Sequence, residues 1–295
     1  MQDQHGADEA ALERSYAGLE PIEISMAEIL LKEAKQIMDS LGVVFFLRQG
    51  TCLGAVRDQS FIPWDDDLDL GSIIGLNGLT EESIDKVVAA FRAQGFFARV
   101  ERNDYSISVG MIKSSIRMDW TSCWIINDEI IHYPGIRLPA RLFTQLKEID
   151  FIGEKYLVPS PPEEYLRLKY GAEWMVPKQA GYEKDIVDMI PETLFTPGRG
   201  SKLRQFLSKH ILMWRSSKLR ILDLDEKLIS NAEVTVAGVG RFRSNKKGYA
   251  KFSLPCDDWY ALTISHVEHE EVLYMEKLAQ GKSARGCWRD NSTSR

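Results

Sequence analysis

The sequence predicts an α+β fold in which a mixed sheet with packed helices is followed by a small all-β sandwich. Two patterns predict the helices, the sheet and the sandwich. Up to about residue 177, segments with apolar residues at helical spacing interleave with short strand-like runs. From about residue 231, short alternating strands are separated by turns rich in Gly, Asn and Asp. A length of 295 residues accommodates both parts.

The N-terminal half begins with a polar segment and one clear helix. Residues 1–20 are acidic and polar, which predicts a mobile tail and is unlike a signal peptide. Ser25 and Glu28 have the spacing of a capping box, so a helix is predicted over about residues 26–41. The apolar run 43–47 lies between two glycines and predicts a short buried strand.

A second helix and three strands follow. Thr80 is the expected N-cap of that helix, and Gly95 is expected to end it. The runs 96–100, 105–112 and 116–126 are predicted strands. In the third run apolar and polar residues alternate, which is the period of a half-buried strand.

The composition changes after about residue 157 and defines the predicted domains. A proline-rich turn precedes a short helix over residues 163–170. The predicted organisation is a mobile tail over 1–20, a mixed-sheet domain over 21–198, a basic amphipathic helix or linker over 199–224, a small β-sandwich over 225–280 and a disordered tail over 281–295.

The basic segment has three interpretations. Residues 193–222 contain no acidic residue, and apolar residues recur at helical spacing from Leu203 to Trp214. A helix of this kind lies on an anionic membrane through residues 199–220, binds nucleic acid, or packs on the preceding domain with a solvated basic face. The net charge of −6 disfavours nucleic acid as a partner.

Composition also excludes several classes of protein. No apolar run approaches the roughly 18 residues of a membrane-spanning helix. The four cysteines are scattered and form no C-x-x-C pair, which disfavours a zinc site and a disulfide framework. A reducing, cytoplasmic compartment is therefore the expectation.

The strongest chemical feature is a run of four aspartates in five residues. Asp67 and Asp69 are two positions apart, so on a strand they share one face while Leu68 and Leu70 face the core. Paired carboxylates repel one another unless a cation lies between them, and they are the oxygen ligands that Mg²⁺ or Mn²⁺ prefers. Asp65 shares their parity and is expected to support the site, whereas Asp66 is expected to point to the other side. The alternative is a solvated acidic loop, but the flanking apolar residues argue against it.

Three further positions are candidates for the same site. Asp119 lies between two apolar residues of a predicted strand and is the best third acid, although a strand acid is often only exposed. Gly50 and Thr51 follow a strand and precede a helix, where backbone N–H groups favour phosphate. Lys113, close to the Asp119 strand, is a candidate phosphate contact, with an exposed strand lysine as the alternative.

The residues around the acids form one extended motif, Gly-Thr-Cys-Leu-Gly-Ala-Val-Arg over residues 50–57 followed by Phe-Ile-Pro-Trp-Asp-Asp-Asp-Leu-Asp over residues 61–69. This motif resembles the LicD branch of the polymerase-beta-like nucleotidyltransferase superfamily. The resemblance implies a nucleotidyltransferase-like mixed sheet with packed helices. It resumes at Met118-Asp119 and again within residues 165–174, and it covers roughly residues 25–177. It implies that Asp67, Asp69 and Asp119 bind the metal and carry the catalysis, that Gly50 and Thr51 face phosphate, and that Arg57 is a basic substrate contact. A salt bridge of Arg57 to Asp58 or to the acid run is the alternative.

The resemblance implies a metal-dependent phosphotransferase. Such a protein moves a phosphorylated alcohol, phosphocholine or a polyol phosphate, from a CDP-activated donor to a sugar of a cell-surface glycan or its precursor, such as lipopolysaccharide or teichoic acid. The expected cofactor is Mg²⁺ or Mn²⁺, and the expected location is the cytoplasm or the inner face of the membrane. One alternative is a nucleotidyltransferase that forms the CDP-alcohol from CTP, and another is a non-catalytic glycan-binding adaptor.

Overall fold

The computed structural model describes residues 2–18, 20–132, 135–190, 216–223, 225–254, 258–267 and 269–287. The described residues form two compact units. Unit 1 lies within residues 1–131 and 137–179, and unit 2 lies within residues 132–136 and 180–295. The chain is therefore a mixed α+β protein with one larger mixed sheet and several smaller sheets, as predicted.

The helices and strands of the first 170 residues have the following bounds. The helices are α1 Gln2–Gly18, α2 Ile24–Ser40, α3 Gln49–Leu53, α4 Glu81–Ala93, α5 Arg141–Thr144 and α6 Pro162–Tyr170, and a π-helical turn, Gly54–Asp58, continues α3. The strands are β1 Phe46–Leu47, β2 Asp67–Ile74, β3 Phe97–Arg102, β4 Ser106–Lys113, β5 Ile116–Trp124, β6 Glu129–His132, β7 Ile136–Pro139, β8 Lys147–Phe151 and β9 Glu154–Val158.

The main sheet of unit 1 has five strands in the order β1-β2-β5-β4-β3. Strands β2 and β5 lie side by side and run parallel, whereas the other neighbouring pairs are antiparallel. Leu68, Leu70, Met118 and Trp120 are almost completely buried, as the alternation along β2 and β5 predicts. The opposite face of these two strands carries the acids.

Helix α2 begins two residues earlier than the sequence predicted. Its N-cap is Glu23, whose carboxylate accepts hydrogen bonds from the backbone N–H groups of Ser25 and Met26. The expected Ser25 N-cap is therefore wrong, because Ser25 already lies inside the helix and Glu23 satisfies the orphan N–H groups of its first turn. Helix α4 begins as predicted at Thr80, which forms a capping box with Ser83.

The N-terminal residues form a helix where the sequence predicted a mobile tail over residues 1–20. Helix α1 contacts β3 and β4. Its Leu12 is completely buried and packs in a small cluster with Phe97 and Ile112. This helix is mostly polar, so the contacts that order it come from only a few side chains and leave no periodic apolar pattern in the sequence.

The described residues of unit 2 form helix α7 Tyr182–Met189 and seven strands, β10 Ser217–Leu222, β11 Glu233–Val236, β12 Gly240–Arg243, β13 Tyr249–Phe252, β14 Asp258–His266, β15 His269–Leu278 and β16 Ser283–Cys287. One sheet has the order β13-β10-β16 and the other β12-β11-β14-β15. Side chains from both sheets form a single buried cluster that includes Leu219, Val234, Phe252 and Leu262. The two sheets therefore share one core.

The division of the chain differs from the predicted boundaries in three places. It falls near residue 180 instead of 198, because α7 packs on β14 and β15. Strand β10 lies in the predicted linker 199–224, and β16 lies in the predicted tail 281–295. The predicted basic helix from Leu203 to Trp214 lies outside the described residues. Of the helices that the structure describes, none is both long and apolar enough to cross a membrane.

Candidate active site

The parallel pairing of β2 and β5 brings together acids that are far apart in the sequence. In this register Asp69 lies opposite Asp119, and Asp67 lies opposite Arg117. Because neighbouring Leu68 and Trp120 are buried in the core, the acidic side chains project from the other face of the sheet. Three of the predicted site residues, Asp67, Asp69 and Asp119, therefore lie on one face of two adjacent strands.

Asp69 is held by the start of helix α3. Its carboxylate oxygens accept hydrogen bonds from Gln49 Nε2 at 2.9 Å and from the Gly50 backbone N–H at 3.2 Å. The Asp69 N–H donates to Thr51 Oγ1 at 2.8 Å, and Thr51 is almost fully buried. Gly50 and Thr51 thus position the acid strand. Their predicted role in binding phosphate stays a prediction.

The three consecutive aspartates converge in a second arrangement. Asp65, Asp66 and Asp67 each offer one carboxylate oxygen, and these three oxygens lie within 4.8 Å of one another. A Cβ at Gly50 would lie 2.5 Å from Asp65 Oδ2, so only glycine leaves room for the Asp65 carboxylate here. The expectation that Asp66 points away is wrong, because β2 begins only at Asp67 and strand alternation does not apply before it.

Arg117 is the main site residue that the sequence reasoning missed. Its side chain is only 3% exposed and forms ion pairs with Asp66, Asp67 and Asp119. The distances are 2.6 Å from Nη2 to Asp67 Oδ2 and 3.3 Å from Nε to Asp119 Oδ2. The sequence contained a usable signal, since Arg117 is two positions before Asp119 on the same strand and so shares its face.

Helix α1 contributes Tyr16 and Ser15 to the same place. The Tyr16 hydroxyl donates a hydrogen bond of 2.7 Å to Asp119 Oδ1, and its ring lies 4.5 Å from the Arg117 guanidinium. The Ser15 carbonyl accepts a hydrogen bond of 2.9 Å from Arg117 Nη1. A Cβ at Gly110 on β4 would lie 2.5 Å from the Tyr16 hydroxyl oxygen, so only glycine at this position leaves room for the tyrosine hydroxyl beside Asp119.

Burial and mutual repulsion shift the pKa values of the acids upward. Burial, followed by the charges of Asp67 and Asp69, raises the pKa of Asp65 well above its ordinary value. Burial and the Asp67 carboxylate raise the pKa of Asp119 to about 7, although Arg117 opposes the shift. Burial alone would lower the pKa of Arg117, but the surrounding carboxylates outweigh it and raise that pKa. Burial and mutual repulsion thus make it unfavourable for all of these acids to be ionised together.

Two more buried cations lie beside Asp69. Arg48 is 3% exposed, and its Nε has no hydrogen-bond partner among the described residues. Lys169 on α6 is completely enclosed, and burial together with the charge of Arg48 lowers its pKa to about 7 while Asp69 opposes the shift. Tyr165 on the same helix accepts a hydrogen bond of 3.0 Å from the Gln49 N–H. Helix α6 therefore fixes the start of α3 and adds positive charge behind Asp69.

The structure does not bring Arg57 and Lys113 to the acids. Arg57 forms a two-pronged pair with Asp58, with distances of 2.9 and 2.7 Å, which is the salt bridge considered as the alternative. Lys113 pairs with Glu33 of α2 at 2.6 Å and donates to the Gln94 carbonyl at 2.8 Å. Both side chains stabilise the fold through these contacts, and contact with phosphate stays a prediction for each.

The residues present fit a divalent cation. Closely spaced carboxylate oxygens are the ligands that Mg²⁺ and Mn²⁺ prefer, and burying several of them together is unfavourable without a cation. The oxygens of Asp65, Asp66 and Asp67 meet this condition, and the space beside Asp65 exists because Gly50 has no side chain.

Comparison with known proteins assigns this part of the chain to a family. Residues 42–161, which contain β1, α3, β2 and β5, match the family described as "LicD/FKTN/FKRP, nucleotidyltransferase domain". Over these residues the chain is similar to the LicD family. The matched segment includes Gly50, Thr51 and the acids of β2 and β5, so the predicted resemblance is confirmed over these residues.

The individual proteins that resemble this chain share about a third or fewer of the aligned residues with it. The human protein named ribitol-5-phosphate transferase FKTN is 27% identical over 165 residues, covering 51% of this chain and 33% of its own length. An uncharacterized protein of Rickettsia prowazekii is 33% identical over 73 residues, covering 25% of this chain and 26% of its own. The chain therefore spans about a third of the length of the curated relatives it matches. A solved structure, the Bacillus anthracis TIE protein, has 13% identity over 85% of this chain and 51% of its own, with a TM-score of 0.22.

Proposed function

We propose that unit 1 is a metal-dependent phosphotransferase that moves a phosphorylated alcohol from a CDP-activated donor to a hydroxyl of a sugar. The observation that carries the proposal is the parallel register of β2 and β5, which sets Asp69 opposite Asp119 with Asp65, Asp66 and Asp67 at one end of β2. The match of residues 42–161 to the LicD family supports it, because the matched residues include these acids. The human relative is named a ribitol-5-phosphate transferase, which favours a polyol phosphate as the transferred group.

Each acid has a part in this proposal. Asp67 and Asp69, with Asp119 as the third acid and Asp65 in support, would hold Mg²⁺ or Mn²⁺. When bound, the cation would neutralise charge on the diphosphate of the donor and on the departing nucleotide. The hydrogen bonds from Gln49 and Gly50 hold the Asp69 carboxylate in one orientation, so it needs little rearrangement to act as a ligand.

The transfer itself exchanges one phosphorus–oxygen bond for another. The sugar oxygen forms a bond to the phosphorus that carries the alcohol, and the bond from that phosphorus to the cytidine monophosphate oxygen breaks. The sugar hydroxyl loses its proton to Asp119, and cytidine monophosphate leaves. Tyr16 holds Asp119 by its Oδ1, which fixes the carboxylate that receives the proton.

Product analysis with substituted acids tests the proposal. The purified chain is incubated with Mn²⁺, a CDP-linked polyol or choline and a panel of sugars, and release of cytidine monophosphate is measured. We expect Asp67→Ala and Asp69→Ala to lower the rate by at least about 100-fold, because each removes a metal ligand. Asp104→Ala, which removes an exposed acid outside the cluster, is the matched control and should keep the rate. Full turnover by either site variant would refute the metal assignment.

The same assay separates the two alternatives. A nucleotidyltransferase that forms the CDP-alcohol would consume CTP and release pyrophosphate, whereas the proposed transfer releases cytidine monophosphate. A non-catalytic glycan-binding adaptor would bind glycan without binding Mn²⁺ and would release neither product. The intact set of acids argues against the adaptor.

A further inference from the structure

Arg117 occupies the space between two of the acids that a pair of metal ions would share. Its guanidinium contacts Asp67 Oδ2 through both Nε, at 3.2 Å, and Nη2, at 2.6 Å. The same Nε lies 3.3 Å from Asp119 Oδ2. In a site with two metals, the carboxylates of Asp67 and Asp119 would be needed to hold the second ion.

Helix α1 fixes this arrangement from the other side. The Tyr16 ring lies against the guanidinium, its hydroxyl binds Asp119 Oδ1, and the Ser15 carbonyl accepts from Arg117 Nη1. Both oxygens of Asp119 are thus engaged, one by Tyr16 and one by Arg117. A side chain held by three carboxylates, a carbonyl and an aromatic face cannot leave without breaking all of these contacts.

We propose that Arg117 takes the place of a second metal ion, so that the site binds a single divalent cation on the side of Asp65, Asp66 and Asp67. This inference rests on the proposed metal-dependent function and changes one part of it, since Asp119 is then not a ligand of the ion. Asp119 then acts in the transfer as the proton acceptor that Tyr16 positions, and Arg117 supplies a fixed positive charge beside it. A guanidinium is always protonated and strongly directional, which suits it to this role.

The charges around the site agree with one cation. Five carboxylates lie in the cluster, those of Asp65, Asp66, Asp67, Asp69 and Asp119. Three buried basic side chains oppose them, those of Arg48, Arg117 and Lys169. When all are ionised, two negative charges remain, which is the charge that one divalent ion neutralises. A second ion would require Arg117 to be absent or displaced.

Counting bound Mn²⁺ tests the inference without an activity measurement. Electron paramagnetic resonance of free Mn²⁺ during a titration gives the number of ions bound per chain. We expect one ion for the wild-type chain and two for Arg117→Met, and the two ions, about 4 Å apart, should be spin-coupled. Arg102→Met is the matched control, because it also frees carboxylates, those of Glu81 and Asp85, but at the surface. It should bind one ion.

The outcomes separate failure of the inference from failure of the proposed function. Two ions on the wild-type chain, or one ion on a folded Arg117→Met variant, would overturn the inference and leave a metal-dependent enzyme standing. No bound ion on the wild-type chain would overturn the metal-dependent function itself. If circular dichroism shows that Arg117→Met does not fold, the wild-type count decides alone, with one ion in support and two against.

Discussion

Gly110 shows how a residue without a side chain shapes this site. It lies opposite Asp119 in the antiparallel pairing of β4 and β5. The place its Cβ would take is 2.5 Å from the Tyr16 hydroxyl oxygen and 3.3 Å from Asp119 Oδ1. The hydrogen bond between Tyr16 and Asp119 therefore exists only because this strand position is glycine.

A double-mutant cycle measures that relation. Gly110→Ala should destabilise the chain by about 1–3 kcal/mol, because the new methyl group overlaps the Tyr16 hydroxyl. In a Tyr16→Phe background the same substitution should cost much less, since the nearest remaining ring atom, Tyr16 Cζ, is 3.6 Å from the added Cβ. Urea denaturation of the four chains gives both numbers. Equal costs in the two backgrounds would show that the hydroxyl is not what the methyl group meets.

At the residue scale the sequence predicted the acids better than their partners. The alternation of apolar and acidic residues was enough to predict that Leu68 and Leu70 are buried, and both are. Arg117 could have been found by the same alternation. Tyr16 could not, because it is 103 positions from Asp119 and nothing local in α1 indicates which strand the helix meets.

Strand β16 is the element whose role differs most from the sequence prediction. Residues 283–287 pair in parallel with β10 over five positions, from Ser283 opposite Lys218 to Cys287 opposite Leu222. The segment Ser-Ala-Arg-Gly-Cys has no β-branched or aromatic residue, so its own propensity gives no sign of a strand. Its position in the sheet comes from the backbone of β10, which has β13 on the other side.

Truncation tests the contribution of β16. A chain ending at Lys282 lacks this strand and leaves one edge of β10 unpaired, so unit 2 should unfold at a lower temperature. Each kcal/mol lost should lower the transition by about 4–8 °C. A chain ending at Cys287 keeps the strand and removes only residues 288–295, which makes it the matched control. Thermal unfolding followed by circular dichroism compares the two, and equal transition temperatures would contradict the role given to β16.

At the scale of elements, helices with an amphipathic pattern were predicted well and the others were not. Helix α4 has both a capping box and a buried apolar face, and its predicted start is confirmed. Helix α1 lacks a periodic apolar face, and its described buried contacts depend mainly on Leu12 and Tyr16. Where tertiary contacts order an element, single-sequence periodicity has little to detect.

A single acidic cluster accounts for much of the net negative charge of the chain. Four of the acids that give the chain its net charge of −6 lie within five residues, immediately before β2 and at its start. The mild acidity of the chain therefore reflects in large part a single cluster, and it does not describe the surface as a whole. A cation that binds this cluster should stabilise unit 1, which contains it.

Hydrogen exchange tests where the cation acts. Mn²⁺ at about 100 times its dissociation constant should add about 2.7 kcal/mol to the opening free energy of β2 and β5, because the ion binds the acid cluster only in folded unit 1. Exchange in β11 and β14 of unit 2 should be unchanged. The Asp67→Asn chain is the control and should show little added protection. Equal protection of both units by Mn²⁺ would mean that the ion binds elsewhere.

The pairing of β2 with β5 also has a consequence for how unit 1 folds. Strands β3, β4 and β5 are consecutive and antiparallel, and β1 pairs with β2, so each group can form from nearby residues. The acids meet only when the two groups join, and their repulsion opposes that step. Arg117 offsets it from the β5 side. A shift by one residue would place its guanidinium opposite Leu68 on the apolar face, so the same ion pairs that crowd the finished site also select the correct register during folding.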